Sequence, residues 1–532
     1  MNIFKKINKK EYCILVLYLI LVIGYSKISD GWILKLADGI ALGLLCIFNR
    51  YISFKTNKKA SFVSGVIILL LLFYLILDGF ARIGFGFHLN DILGDAIAIL
   101  IATNTGEVFS FLDNFKLKYF SKIALPILGI VLYFYQAGLP PKGYFARKFK
   151  WVFASSLASV IFLLSLPKFP INITVSSIPQ IIKNIDVTEE YLQEKEKFHW
   201  NAVSNVKDNS TVVIILGETT RGDHMYINGY SRNTTPNLAA EDIISFKNAI
   251  SIGAHTLAST PYMLTRKEVS ENWISKLWPE KSIISAFKEA GYETYYISYL
   301  SNVHSGDNAI NQIVNEADHY IRRPDGSKDY DIAGIPIIED ILKNSNVSRK
   351  LIVYKLVGSH YNFHDRYPSE FDKFQPSFQK TEFKGPNPDY KDTFINTYDN
   401  SILYTDFVVS QVLNLLKKQS GETSLSFISD HGVGIYEDGK TLYLNSKKAN
   451  YNIACFFWFN DEVKGRIGDT KIQRLKDNIN KPIDQTYFID TVFDISGLES
   501  EKRVGKSLFD NISDNDNRFV FRGNTMLKYT SL

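Results

Sequence analysis

The chain has 532 residues, more than one ordinary domain holds. Its formal net charge of +5 is small for that length and no Lys/Arg-dense stripe stands out, which excludes a nucleic-acid footprint. Cys13, Cys46 and Cys455 are the three cysteines, in no CxxC or Cys/His spacing, so a disulfide framework in the C-terminal part and a cysteine-based zinc site are excluded too.

Five apolar segments open the chain, at about 12–28, 32–48, 62–80, 123–138 and 151–166. They predict an N-terminal five-helix transmembrane domain over 1–167. The first segment is expected to stay as a span rather than be cleaved as a signal, because four more follow it. Basic residues set the orientation. Lys5, Lys6, Lys9 and Lys10 precede the first span, Arg50, Lys55, Lys58 and Lys59 follow the second, and Lys142, Arg147, Lys148 and Lys150 separate the fourth from the fifth. With five spans all three clusters fall on one side, the cytoplasm, and everything after 166 lies outside it. In a two-membrane bacterium this means a multi-pass inner-membrane protein with a periplasmic C-terminal part. Between the third and fourth spans, residues 85–115 carry Asp91 and Asp95 and read as amphipathic helices at the outer surface.

A linker is expected over 168–209, with a charged helix at 188–197 that reads as solvated. From 210 to the end, short β-type runs alternate with helical stretches. Strands are expected at 212–216, 294–298, 351–357, 424–429 and 455–459, and helices at 282–290 and 398–417. In the last helix Tyr398, Ile402, Val409, Val412 and Leu416 recur at helical spacing. The alternation predicts a mostly parallel sheet covered on both faces.

Three of these strands end in chemistry-bearing residues. The run at 212–216 leads to Glu218, that at 351–357 to His360, and that at 424–429 to Asp430 and His431. Open α/β sheets bind ligands beyond the carboxyl ends of their strands, and carboxylate with imidazole is a donor set suited to zinc. The spacing alone leaves two readings open: a shared metal edge, or Asp430 and His431 capping a turn with His360 a satisfied loop histidine.

The run Gly217-Glu218-Thr219-Thr220-Arg221-Gly222-Asp223-His224, with Asn228-Gly229-Tyr230-Ser231-Arg232-Asn233-Thr234-Thr235-Pro236-Asn237 after it, resembles the signature of phosphoethanolamine transferases. These are members of the alkaline phosphatase/sulfatase superfamily that decorate lipid A and confer polymyxin resistance. Gly253-Ala254-His255-Thr256 is similar to the family's nucleophile segment, Ser429-Asp430-His431-Gly432 to its metal segment, and Gly358-Ser359-His360 with Arg366-Tyr367-Pro368 to a further element. The resemblance implies an α/β/α sandwich catalytic domain of alkaline phosphatase/sulfatase type over 210–532. It implies Thr256 as nucleophile, one zinc held by Glu218, Thr256, Asp430 and His431, and His360 beside the transferred phosphate as acid or base. The donor would be phosphatidylethanolamine and the acceptor an envelope glycolipid, lipopolysaccharide core or lipid A. Thr103 and Glu107 resemble a membrane-edge element contacting the donor, and Asn302 a donor-contacting asparagine. Two departures stand out: Val433 replaces a glutamate, and Asn445, in Leu444-Asn445-Ser446, stands where many members carry a histidine that binds metal or phosphate. A second zinc is therefore not expected.

Rival readings are a phosphoglycerol transferase or a hydrolase of the same fold, and a non-catalytic envelope scaffold. Against a sulfatase activity, Ser259-Thr260-Pro261-Tyr262-Met263 lacks the arginine of the sulfatase nucleophile motif. Among the other histidines, His224, His304 and His364 are candidates for a second site. His255 reads as a loop residue, His88, His199 and His319 as structural or exposed, and Arg221 as an ion-pair partner.

Overall fold

A seven-stranded sheet organises the C-terminal part, and its strands are the apolar runs that the sequence marks. The computed structural model describes residues 189–206, 209–269, 278–298, 309–322, 329–343, 347–382, 387–443, 447–522 and 525–532. The strands are β1 Ser210–Gly217, β2 Ile244–Ser245, β3 Glu293–Ser298, β4 His319–Arg322, β5 Arg349–Lys355, β6 Glu422–Ser429 and β7 Cys455–Phe459. They lie in the order β2-β7-β6-β1-β5-β3-β4. The five strands from β6 to β4 are parallel. Strand β7 runs antiparallel to both β6 and β2; its apolar run is the same in either direction, so the reversal is a tertiary outcome.

Helices cover both faces. They are α1 Glu189–Lys197, α2 Thr256–Leu264, α3 Ile283–Glu289, α4 Ala309–Val314, α5 Ile335–Lys343, α6 Lys391–Leu416, α7 Asp461–Ile467, α8 Asp469–Asp477 and α9 Phe488–Ser496. The side-chain period of two splits β1 between two cores. Val212, Ile214 and Leu216 pack with residues of α2, α3 and α9, whereas Val213 and Ile215 pack with α5 and α6. Local chemistry sets helix ends. The Ser282 hydroxyl accepts from Ile284 N–H at the start of α3, Asn460 caps α7 in the same way, and Gly497 closes α9 in the left-handed region.

The helix expected at 398–417 starts about two turns earlier, at Lys391, and all five residues of its predicted stripe are buried. The strand expected at 351–357 stops at Lys355. Beyond it Asp331 takes over the backbone: its carboxylate accepts from Val357 N–H at 2.8 Å and from Gly358 N–H at 2.9 Å. Helix α1 is not wholly solvated, since Tyr191 and Lys195 are buried and Lys195 pairs with Glu316 at 2.7 Å. After it, Trp200 is fully buried, donating its indole N–H to the Ser282 carbonyl at 2.8 Å and meeting Phe493 edge to face.

Among the described residues no helix is long and apolar enough to cross a membrane. The five expected spans, with Thr103 and Glu107, lie outside those residues, as do Asn302, His304 and Asn445.

One buried carboxylate ties the sheet's flanking helix to the segment after β1. Asp406 on α6 accepts from Asn237 N–H at 3.0 Å, from the Asn237 amide at 2.7 Å and from Leu238 N–H at 2.9 Å. Burial pushes its carboxyl from an ordinary value of 3.8 up to about 6, outweighing those bonds. The folded chain therefore holds this proton more tightly than the unfolded chain does. The group's contribution to stability is largest below about pH 4 and declines as pH rises through about 6, by on the order of 2–3 kcal/mol. Asp406→Asn removes that titration, so denaturation at pH 4.5 and 7.5 should show the difference between variant and wild type moving in the variant's favour at the higher pH. A difference that does not change with pH would contradict the assignment.

Candidate metal centre

The carboxyl ends of β1, β5 and β6 are laced together by backbone bonds. Ser359 N–H donates to the Glu218 carbonyl at 3.0 Å, Leu356 N–H to Leu216 at 3.0 Å, and Asp430 N–H to Gly217 at 3.3 Å. This lacing delivers Glu218, Asp430 and His431 to one place. Among the described residues, their side chains form the group of His, Cys, Asp or Glu residues gathered closely enough to hold a metal ion, with one ligand atom from each within 4.8 Å of the others. All three are buried.

Local strain and close approach help aim them. Thr219 sits at φ 57, in the left-handed region that a β-branched residue rarely adopts. This turn lets Thr219 N–H donate to Asp430 Oδ1 at 3.0 Å while its hydroxyl donates to Glu218 Oε1 at 2.8 Å. The Tyr398 hydroxyl, on α6, donates to the Thr219 carbonyl at 2.7 Å and accepts from Arg221 N–H at 2.9 Å. Gly358 lies at φ +54, and a Cβ there would meet the Glu218 carbonyl at 2.8 Å.

Thr256 is the first residue of α2. Its hydroxyl lies 2.8 Å from Asp430 Oδ2 and 3.3 Å from Glu218 Oε2. His255 is not a mere loop residue: it is the N-cap of α2, with its ring accepting from Ala258 N–H. Gly253 permits the approach, because a Cβ there would stand 2.5 Å from the Ala258 side chain.

The His431 ring donates from Nδ1 to the Gly432 carbonyl at 2.7 Å, which turns Nε2 toward Glu218 Oε1 at 3.4 Å and Asp430 Oδ2 at 3.9 Å. Donor atoms on a tetrahedral zinc with bonds of roughly 2.0–2.1 Å are about 3.3 Å apart. The Thr256, Glu218 and His431 separations bracket that value, and two carboxylates, a hydroxyl and an imidazole nitrogen are an appropriate donor set, so these residues fit zinc. Burial opposes a charged imidazole at His431, but Asp430 and Glu218 outweigh it and push the ring up to about 9. A proton would thus compete with a cation for Nε2.

Sequence reasoning missed Lys355. It ends β5, and its buried ammonium donates to Glu218 Oε2 at 2.9 Å, to Asp430 Oδ2 at 3.1 Å and to the Gly217 carbonyl at 3.0 Å. The available signal was a lysine interrupting the apolar run Leu351-Ile352-Val353-Tyr354-Lys355-Leu356-Val357 at an interior position of a central strand. Burial works to raise the Glu218 carboxyl, yet Lys355, with His431 and His360, holds it well below the usual range. Burial likewise opposes the Lys355 charge, and Asp430 and Glu218 keep it protonated.

The remaining candidates fall elsewhere. His360 is partly buried outside the three-residue group; its ring contacts the Tyr361 carbonyl and its own carbonyl accepts from Arg366. His224 is engaged by Asp399 at 2.7 Å and packs edge-on to Tyr398. His364 lies 3.6 Å from Asp365, while His199 and His319 are exposed beside Glu289 and Glu293. Arg221 is an ion-pair residue, bonded to Asp223 and Glu437 and donating to the Val433 carbonyl. The Val433 side chain itself is buried in the core.

A family model described as Sulfatase matches residues 210–498. The chain is 26% identical over 322 residues to the phosphoethanolamine transferase EptA of Escherichia coli O157:H7, across 58% of this chain and 57% of the relative. It is 30% identical over 248 residues to the Kdo(2)-lipid A phosphoethanolamine 7''-transferase of Escherichia coli K12, across 46% and 43%. The matched part thus spans about half of the length of these curated relatives, 57% of the first and 43% of the second. Among solved structures, the C-terminal periplasmic domain of EptC from Escherichia coli in complex with Zn aligns at 23% identity and a TM-score of 0.52, covering 62% of this chain and 96% of that one. The integral membrane lipooligosaccharide phosphoethanolamine transferase A of Neisseria meningitidis aligns at 20% identity and a TM-score of 0.59, covering 92% and 95%. Both structural likenesses speak to the fold.

Gly358→Ala tests how the site is held. A Cβ in the left-handed region beside the Glu218 carbonyl should cost about 1–2 kcal/mol and shift the first ligand. Zinc content by elemental analysis should fall while the chain stays folded; unchanged zinc content would mean that Glu218 does not depend on this approach.

Proposed function

The chain belongs to the sulfatase family, and from that premise we propose that it is a membrane-anchored, zinc-dependent phosphoethanolamine transferase acting on an envelope glycolipid. The observation that carries the reading is the Thr256 hydroxyl at the start of α2, 2.8 Å from Asp430 and 3.3 Å from Glu218, beside His431. The names of the relatives support the group transferred, and the lipid A transferase among them supports the acceptor class.

Glu218, Thr256, Asp430 and His431 would hold one zinc. Zinc supplies, when bound, the positive charge that lowers the proton affinity of a nearby hydroxyl and neutralises phosphoryl oxygens. The chain's own residues do the rest. Thr256 Oγ attacks the phosphorus of phosphatidylethanolamine; the bond to diacylglycerol breaks, and diacylglycerol leaves with a proton. The threonine keeps phosphoethanolamine as a covalent ester. An oxygen of the acceptor, lipid A or lipopolysaccharide core, then attacks that phosphorus and frees Thr256. His360 exchanges the proton with the leaving or entering oxygen. The amide end of α2 adds a partial positive charge beside the reacting oxygen.

Both substrates are lipids, which makes membrane anchoring part of the mechanism. Five spans over 1–167, a linker over 168–209 and a periplasmic catalytic domain over 210–532 would tether the catalytic domain to a membrane that holds its lipid substrates. The integral membrane neighbour, aligned over 92% of this chain and 95% of its own, supports a membrane domain ahead of the catalytic one. Thr103, Glu107, Asn302 and Asn445 would serve the donor head group.

Thr256→Ala should lower transfer of labelled phosphoethanolamine to envelope glycolipids by at least about a thousandfold, and Thr256→Ser should retain part of it. Peptide mass spectrometry of enzyme given donor alone should find the adduct on Thr256. Transfer by the alanine variant at wild-type rate would falsify the mechanism, and a glycerol phosphate adduct would replace the donor assignment.

A further inference from the structure

Lys355 shares its oxygens with the nucleophile. Its ammonium and the Thr256 hydroxyl both lie against Glu218 Oε2 and Asp430 Oδ2. Its third acceptor is the Gly217 carbonyl, so all three N–H donors have a partner. The register puts it there: Lys355 pairs with Leu216 across the β1–β5 ladder, one residue short of the point where β1 turns into Glu218. On alternation it shares a face with Leu351 and Val353, which are core, so a cation is buried at the end of an apolar row.

The two carboxylates that it bridges are wholly buried. With Lys355 the trio carries one net negative charge; without it, two like charges would face each other in a poorly screened place. The other Glu218 oxygen, Oε1, is the one that faces His431 Nε2.

We infer that Lys355 is a positioning residue of the metal centre: it clamps Glu218 and Asp430 together in the metal-free chain and stays beneath them when a divalent cation binds. The inference rests on the zinc reading above. The clamp makes the ligand set preformed, so that the fold does not depend on metal to neutralise its own active-site carboxylates. It also reduces the negative charge that draws a cation in, trading affinity for a site that is ready before loading.

The test uses the full chain in detergent, stripped with a chelator, as wild type, Lys355→Met, Glu218→Gln and the double variant, each melted with and without added zinc sulfate. Metal-free Lys355→Met should melt roughly 5–10 °C below wild type, and its rise on adding zinc should be at least twofold that of wild type. The double variant, which removes one carboxylate charge along with the ammonium, should recover at least half of the loss. If Lys355→Met folds only with zinc, chelation should unfold it and leave wild type and the double variant folded. A loss that Glu218→Gln does not recover, or equal zinc shifts in Lys355→Met and wild type, overturns the clamp. A wild-type chain that zinc neither binds nor stabilises overturns the metal-centre reading, and the role of Lys355 with it.

Discussion

Glu218 and Asp430 are two carboxylates buried side by side at the ends of adjacent parallel strands, and such a pair is unfavourable without counter-charge. Around them the structure assembles an ammonium from β5, an imidazole from the residue after Asp430, and a hydroxyl from the start of α2. Each comes from a different segment, so the pair can be satisfied only when β1, β5, β6 and α2 are all in place. The charge problem of the site and the topology of the sheet are one constraint.

The same constraint accounts for the irregular backbone nearby. Thr219 is turned into the left-handed region, and its amide and hydroxyl each reach one of the two carboxylates. Gly358 passes the Glu218 carbonyl at a distance that leaves no room for a side chain. The last bond from this stretch to β1 is from Leu356 N–H; Asp331 then takes the Val357 and Gly358 amides, and Ser359 N–H bonds the Glu218 carbonyl. Strain of this kind persists when surrounding bonds over-determine it. Here Tyr398 of α6, bonded to both sides of the Thr219–Arg221 turn, is one of those determinants.

Arg221 and Asp399 extend the network outward. Asp399 binds His224, Tyr230 and Arg232, three residues of the long motif after β1. That motif therefore acts in large part as support: its charged side chains fasten the turn to α6, while Glu218 faces inward. Val433 fits the same picture, contributing its carbonyl to Arg221 and its side chain to the core.

What the sequence by itself determined is the part that depends on local pattern. Alternating β-type runs and helical stripes specify a sheet with two helical layers, because side-chain periodicity decides which face each residue can bury. Glu218, Asp430 and His431 were legible because they follow strands, and strand ends converge in any parallel sheet. Thr256 entered only through motif resemblance, since nothing in its spacing tells where α2 begins relative to β1 and β6. Three things needed the tertiary structure. The reversed direction of β7 was one, because hydrophobic runs carry no polarity. The capping role of His255 was another. The third was Lys355, whose charge in an apolar strand looks like an irregularity until β1 and β6 bring two carboxylates to it. Interactions across 75 and 137 residues of sequence leave no local trace; only folding makes them neighbours.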